Sequence, residues 1–267
     1  MLVRFWGVRG SVPWATRESI QHGCNTPCIE LRDENENLLV LDAGTGIVGL
    51  GEALGVKVRT VPLILTHYHW DHIQGLPFFV PLYVPDQVTT VWVPMLEHAR
   101  LEPIATLFQT PVFPLPPNAL PPSTSVKPLP TGEVTLNGFS IRMQHLTHPG
   151  GAMAYRVRGL NGDLVYATDH EFGKAETDTA LAAFARNARA IILDAHFTPE
   201  ELPKHAGWGH SSWRQCAEFA ARHGIERLFL FHHKPGRTDA EMAAIEAQAR
   251  RVFPATEAAR EGESFTV

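Results

Sequence analysis

Three cysteines in 267 residues, Cys24, Cys28 and Cys216, are too few for a disulfide framework. That scarcity excludes a small stapled secreted fold and points to a reducing cytoplasm. No apolar run approaches the ~20 residues of a helical membrane span, so no membrane partner is expected. The start, Met1-Leu2-Val3-Arg4-Phe5-Trp6, lacks the apolar stretch and cleavage site of a signal peptide and reads as a first strand. Positive charge is not in excess. The net charge of −5 argues against broad nucleic-acid binding and makes large RNA an unfavoured partner, while leaving room for a small anion at a local cationic site. There is no Walker A run, no H-E-x-x-H, no repeat and no low-complexity tail. What is present, 44% hydrophobic and 19% charged residues, suffices for a sizeable core.

The densest chemistry lies at His67-Tyr68-His69-Trp70-Asp71-His72, an H-x-H-x-D-H run after the apolar Val61 to Thr66. His and Asp offer nitrogen and oxygen donors, a set that suits zinc first, with manganese or iron as alternatives. In an extended segment His67 and His69 point the same way and can grip one ion. Asp71 and His72 lie beyond them and can turn toward a second. A polar loop with coincidental histidines is the plainer alternative.

This pattern resembles the metallo-β-lactamase superfamily of metallohydrolases. The resemblance implies further ligands from distant loops: a His, then a bridging acid, then a last His. His148 in Thr147-His148-Pro149, Asp169 in Thr168-Asp169-His170 and His232 in Phe231-His232-His233 occupy those places. His145, His170 and His233 are the local rivals. Carried over, His67, His69 and His148 hold one metal, Asp71, His72 and His232 hold the other, and Asp169 bridges them. Two divalent ions less two aspartates and a bridging hydroxide leave a net positive site, which suits a small anionic substrate. Gly209-His210-Ser211-Ser212 and Asp194-Ala195-His196-Phe197 are similar to motifs of the ribonuclease Z branch and its small phosphodiesterase relatives. There the resemblance implies His210 as proton donor to the leaving oxygen, Asp194 as its orienting partner, and Asp71 as a further catalytic group. Asp194 stands where that branch has Glu, and the long basic arm of the transfer-RNA-processing members is missing. The expected reaction is therefore hydrolysis of a small, cyclic or nucleotide-like phosphodiester by a metal-bridging hydroxide. A thioester hydrolase of glyoxalase II type, a β-lactamase, or a metal-binding protein without diesterase activity are the alternatives.

Elsewhere the chain punctuates itself. Leu2 to Gly7, Cys28 to Arg32 and Asn37 to Asp42 read as strands, and Gly46 to Leu54 as a short helix. Prolines are dense from residue 77 to 130, which predicts an irregular excursion or lid, with a short strand at Gln87 to Val93 and a helix near Met95 to Leu107. That stretch is a candidate for shaping the pocket or a homo-oligomer contact. Met153 to Val157 and Asp163 to Ala167 form a hairpin across Gly159 to Gly162. Helices follow at Thr177 to Asn187, Ser211 to His223 (with a Ser212–Gln215 capping box) and Asp239 to Arg251, and strands at Ala190 to Asp194 and Arg227 to Phe231. The expectation is a single α+β domain over residues 1–267, a four-layer αβ/βα sandwich. Gly44-Thr45-Gly46-Ile47-Val48-Gly49 imitates a dinucleotide fingerprint but lacks a free acid at the end of the next strand. The resemblance instead implies a tight turn supporting the metal loop, with Asp42 behind the ligands. His22, Cys24 and Cys28 are a candidate partial structural metal site with no evident fourth ligand.

Overall fold

A computed structural model describes residues 1–96, 102–111 and 113–267. In chain order the elements are β1 (Leu2–Gly7), β2 (Cys28–Arg32), β3 (Leu38–Leu41), α1 (Gly46–Leu54), β4 (Thr60–Ile64), α2 (Trp70–Ile73), β5 (Val88–Val93), α3 (Glu102–Thr106) and β6 (Thr124–Pro128). They continue with β7 (Val134–Leu136), β8 (Phe139–Leu146), β9 (Ala152–Gly159), β10 (Gly162–Ala167), α4 (Ala175–Ala185) and β11 (Ala190–Asp194). The chain closes with α5 (Trp213–Arg222), β12 (Leu228–Phe231), α6 (Asp239–Val252), β13 (Thr256–Ala258) and β14 (Ser264–Thr266). One 7-stranded sheet runs β14-β1-β2-β3-β4-β5-β6, the other β13-β12-β11-β10-β9-β8-β7.

Strand alternation explains the layers. In β11 and β12, Ile192, Phe229 and Phe231 join the cluster between the sheets, with Phe5, Leu31, Leu39, Ile141 and Tyr155. Their neighbours Ile191, Leu193, Leu228 and Leu230 face outward and pack under α4, α5 and α6 through Leu181, Cys216, Ala217, Met242 and Ile245. On the other side α1 lays Ile47, Leu50 and Leu54 over Val40, Val61, Leu63 and Val91. Helix, sheet, sheet, helix is the four-layer α+β sandwich that the sequence predicts. Ser212 and Gln215 form the capping box at the start of α5, fixing the chain just beyond His210. No helix among the described residues is long and apolar enough to cross a membrane.

The proline-dense stretch departs from expectation. It contributes β5 and β6 to the first sheet, and Phe79, Leu82, Ile104, Leu107 and Phe108 are buried on that sheet's outer face. Its prolines are compatible with this because Pro128 ends an edge strand and β5 has none. The helix expected near Met95 to Leu107 is short where described, as α3, and residues 97–101 lie outside the described residues. Pro62 sits within β4 between two neighbours and has no N–H to give. The Leu38 carbonyl on β3 takes Asn137 Nδ2 at 2.9 Å.

Candidate metal centre

The site forms where strands stop. β4 runs into the His67 loop, β8 into His148, β10 into Asp169, β11 into Asp194 and β12 into His232. Asp42, Asp169 and His232 each leave their strand with φ of 62°, 58° and 60°, a left-handed turn that non-glycine residues seldom adopt. Each such turn costs about 1–3 kcal/mol and swings the side chain to the common edge of the two sheets.

Three donor groups result among the described residues. His67, His69, His148 and Asp169 bring one ligand atom each within 4.8 Å of one another, as do Asp71, His72 and His232, the two sets of the sequence reading; Asp194, His196, His210 and His232 form the third. The rings of His67, His69 and His148 stand 4.6, 4.9 and 4.7 Å apart, a triangle around a common point. Asp169 reaches both sets. Its Oδ1 lies 3.8 Å from His67 Nε2 and 3.6 Å from His148 Nε2, and its Oδ2 lies 3.2 Å from His72 Nε2. Asp71 Oδ2 sits 3.0 Å from His232 Nε2.

Groups behind the donors fix their tautomers. His148 Nδ1 donates to the Gly209 carbonyl at 2.8 Å, which leaves its Nε2 with a lone pair facing the site. His72 Nδ1 donates to Asp42 at 2.9 Å, and Asp42 also accepts from Tyr166 Oη and Thr66 N. Asp42 thus stands behind His72. Ser11 N donates to Asp71 Oδ2 at 2.6 Å, and buried Arg9 ties the preceding loop to the carbonyls of Gly23, Ser19 and Arg237. The glycine run serves close packing: a Cβ on Gly44 would meet the Asp71 carbonyl oxygen at 2.3 Å, and one on Gly46 the Trp6 carbonyl oxygen at 2.4 Å.

The donor set suits cations. His67 Nε2 is buried with no partner and belongs to the first set. Burial holds His67 well below its ordinary range, with His72 adding to the effect, and burial also lowers His69 and His148. Neutral imidazoles are what a metal requires. At His72 burial acts downward too, but Asp169, Asp71 and Asp42 outweigh it and raise the group well above its ordinary value. Burial would raise Asp71 and Asp169, yet the surrounding imidazoles keep both below the usual carboxylate range.

Asp194 Oδ2 lies 2.6 Å from His210 Nδ1, and its Oδ1 accepts from His196 N at 3.0 Å. His210 lies beside the donor sets, its ring 5.3 Å from that of His148 and 5.0 Å from that of His232. The rivals point elsewhere. His145 is exposed on β8. His170 receives Thr147 N on Nδ1 and faces Asp178 at 3.3 Å. His233 donates to the Ala259 carbonyl on the opposite side of the strand. His22, Cys24 and Cys28 do not converge: His22 pairs with Asp239, Cys28 is buried in the outer apolar cluster, and among the described residues the three form no metal-holding group.

Some residues carried no signal that singled them out. His196 donates from Nδ1 to the His232 carbonyl at 2.9 Å and stacks on His210 with ring centroids 4.5 Å apart. Its place beside Asp194 was visible; its two contacts were not. Glu171 bonds the amides of Gly207 and Gly209. A cleft of about 450 Å³ opens beside His148, lined also by Thr147, Phe172, Lys174 and Gly207.

Gly10 has a steric reason to lack a side chain. A Cβ there would stand 2.3 Å from His232 Nδ1. Gly10→Ala should displace the ring from Asp71 and His72 and weaken metal retention by roughly 10–100-fold, read by competition with a chelator. Unchanged affinity would show that the ring has room to spare.

Comparison with known proteins gives a consistent picture. A family model described as a beta-lactamase superfamily domain matches residues 37–233. Ribonuclease Z of Lacticaseibacillus casei (strain BL23) is 23% identical over 315 aligned positions, covering 100% of this chain and 95% of the relative. The metallo-beta-lactamase fold protein YhfI from Bacillus subtilis superimposes with a TM-score of 0.75 at 19% identity, covering 99% of both chains. A diphosphatase from the PhnP family superimposes with a TM-score of 0.72 at 16% identity, covering 100% of this chain and 97% of that one.

Proposed function

Since the chain belongs to the beta-lactamase superfamily and is a metal-dependent hydrolase, we propose that it hydrolyses a small phosphodiester at a dinuclear centre, with His210 as proton donor. The observation that carries this reading is the His210–Asp194 pair beside two donor sets that share Asp169. His67, His69 and His148 would hold one divalent ion, Asp71, His72 and His232 the other, with Asp169 between them and zinc the best match to the nitrogen-rich set. Bound ions would supply Lewis-acid polarisation of the phosphoryl oxygens and of the attacking water.

The protein's own groups do the rest. Two aspartates do not neutralise two divalent ions, so the centre attracts an anionic diester. Asp194 accepts the Nδ1 proton of His210 and so sets its tautomer and ring plane. The Nε2–H of His210 is then free to protonate the leaving oxygen, so the departing group leaves as an alcohol. Asp42 and the Gly209 carbonyl hold His72 and His148 with Nε2 inward.

The extent of the fold favours a small substrate. The ribonuclease match runs over 315 aligned positions against 267 residues here, so the relative carries segments this chain does not have. Between Asp169 and Asp194 the chain is taken up by a loop, α4 and β11, all within the sandwich. With a net charge of −5, a long nucleic-acid contact has little electrostatic support. The test is a side-by-side assay of the metal-loaded protein with small nucleotide diesters and with a precursor transfer RNA. Turnover of the small diester and none of the RNA is expected. Preferential cleavage of the RNA would overturn the small-substrate reading.

A further inference from the structure

We propose that Glu171 is a positioning residue that locks the His210 loop onto the loops bearing Asp169 and His148. The proposal rests on the reading of His210 as proton donor. Glu171 lies two residues after Asp169, and its carboxylate accepts the amide of Gly207 on Oε1 and that of Gly209 on Oε2, both at 2.7 Å. Its own amide donates to the Thr147 carbonyl at 2.9 Å, next to His148. The Gly209 carbonyl in turn receives His148 Nδ1. Glu171 therefore connects three loops, its side chain reaching the Gly207–Gly209 segment and its backbone amide the His148 loop, and His210 follows Gly209 directly.

The loop is built for this contact. Gly207 and Gly209 both have φ of +86°, so their amides turn toward one carboxylate. A Cβ on Gly209 would lie 2.1 Å from His148 Nδ1, so the backbone approaches the imidazole as closely as only glycine allows. Beyond His210 the chain is held by Phe197 N to the Ser211 carbonyl and Trp213 N to the Phe197 carbonyl, at 3.0 and 3.1 Å, and by the Ser211 hydroxyl, which donates to the His170 carbonyl without involving Glu171. Over residues 206–209 the hydrogen bonds to other loops, among the described residues, are the two to Glu171 and the His148–Gly209 bond. Removing half the clamp should leave the fold intact and free the approach to His210.

Glu171→Gln is the informative change. Gly207 N and Gly209 N each meet a separate carboxylate oxygen, so the single amide oxygen replaces one of those acceptors and the NH₂ group faces the other donor. A charged acceptor bond is also lost, and such bonds are the stronger kind. A misplaced acid matters only where the leaving group needs a proton. With aryl methyl phosphodiesters, kcat should fall on the order of tenfold for the phenyl ester and by less than about twofold for the p-nitrophenyl ester. In a His210→Ala background the same change should cost almost nothing, because both act on one proton transfer. Amide exchange read by NMR gives a test apart from activity: Gly207 and Gly209 should lose protection in the variant while the strands keep theirs.

The outcomes separate cleanly. A leaving-group-dependent loss that vanishes in the His210→Ala background supports the proposal. An equal loss for both esters, or a full loss added to that of His210→Ala, overturns the positioning role. Unchanged exchange at Gly207 and Gly209 overturns the clamp itself. A wild-type protein that hydrolyses no diester overturns the phosphodiesterase reading instead, and the exchange measurement still decides the clamp.

Discussion

Asp169→Asn should yield a folded protein that retains little metal and hydrolyses diesters on the order of a thousandfold more slowly. Asparagine is the right replacement because Asp169 sits at φ 58°, a conformation that Asn tolerates and Ala does not. The substitution keeps the shape of the side chain and removes its charge. It also turns one oxygen into an NH₂ group, which cannot ligate a cation. Among the described residues Asp169 is the one carboxylate within 4 Å of imidazoles from both donor sets, at His67, His148, His72 and His232. Without it the two sets lose their common anion. Elemental analysis of the dialysed variant and a diesterase assay decide the matter. A variant that keeps both metals and more than about a tenth of the rate would show that Asp169 does not join the sets.

His210→Ala should keep its metals and lose roughly a hundredfold in kcat on diesters with poor leaving groups. Burial by itself would lower His210, but the Asp194 carboxylate, with Asp169 and Asp71 behind it, outweighs burial and pushes the group up to about 9. The acid form is full below that value and is lost as pH rises through it, so the wild-type rate should fall on the alkaline side. Divalent cations in the centre repel the imidazolium and move that limb to lower pH. The variant should lack the limb altogether. A pH–rate profile of kcat for both proteins checks this, and a variant that keeps the alkaline fall would assign it to another group.

How much of this was legible in the sequence depends on the distance over which each residue acts. His67, His69, Asp71 and His72 are spaced closely enough for strand geometry to be read directly. His148, Asp169 and His232 came from resemblance, since nothing local distinguishes them from His145, His170 and His233. Strand register separates these pairs: β8 exposes His145, and β12 turns His233 toward Ala259. Glu171 was out of reach because its partners lie 36 and 38 residues further on. The contacts of His196 depend on where β11 and β12 end relative to each other. Among the strands, β6 was missed because Thr124-Ser125-Val126-Lys127-Pro128 has no apolar alternation and forms an edge. β13 and β14 are three residues each, too short for a period to show, and exist by pairing with β12 and β1.

The most direct test of the central claim is to count the metals of the purified wild-type protein by elemental analysis and to assay the same sample with bis-p-nitrophenyl phosphate. About two divalent ions per chain with clear diester hydrolysis is the predicted result. Two ions without diester hydrolysis would contradict it and turn the search to thioesters and lactams.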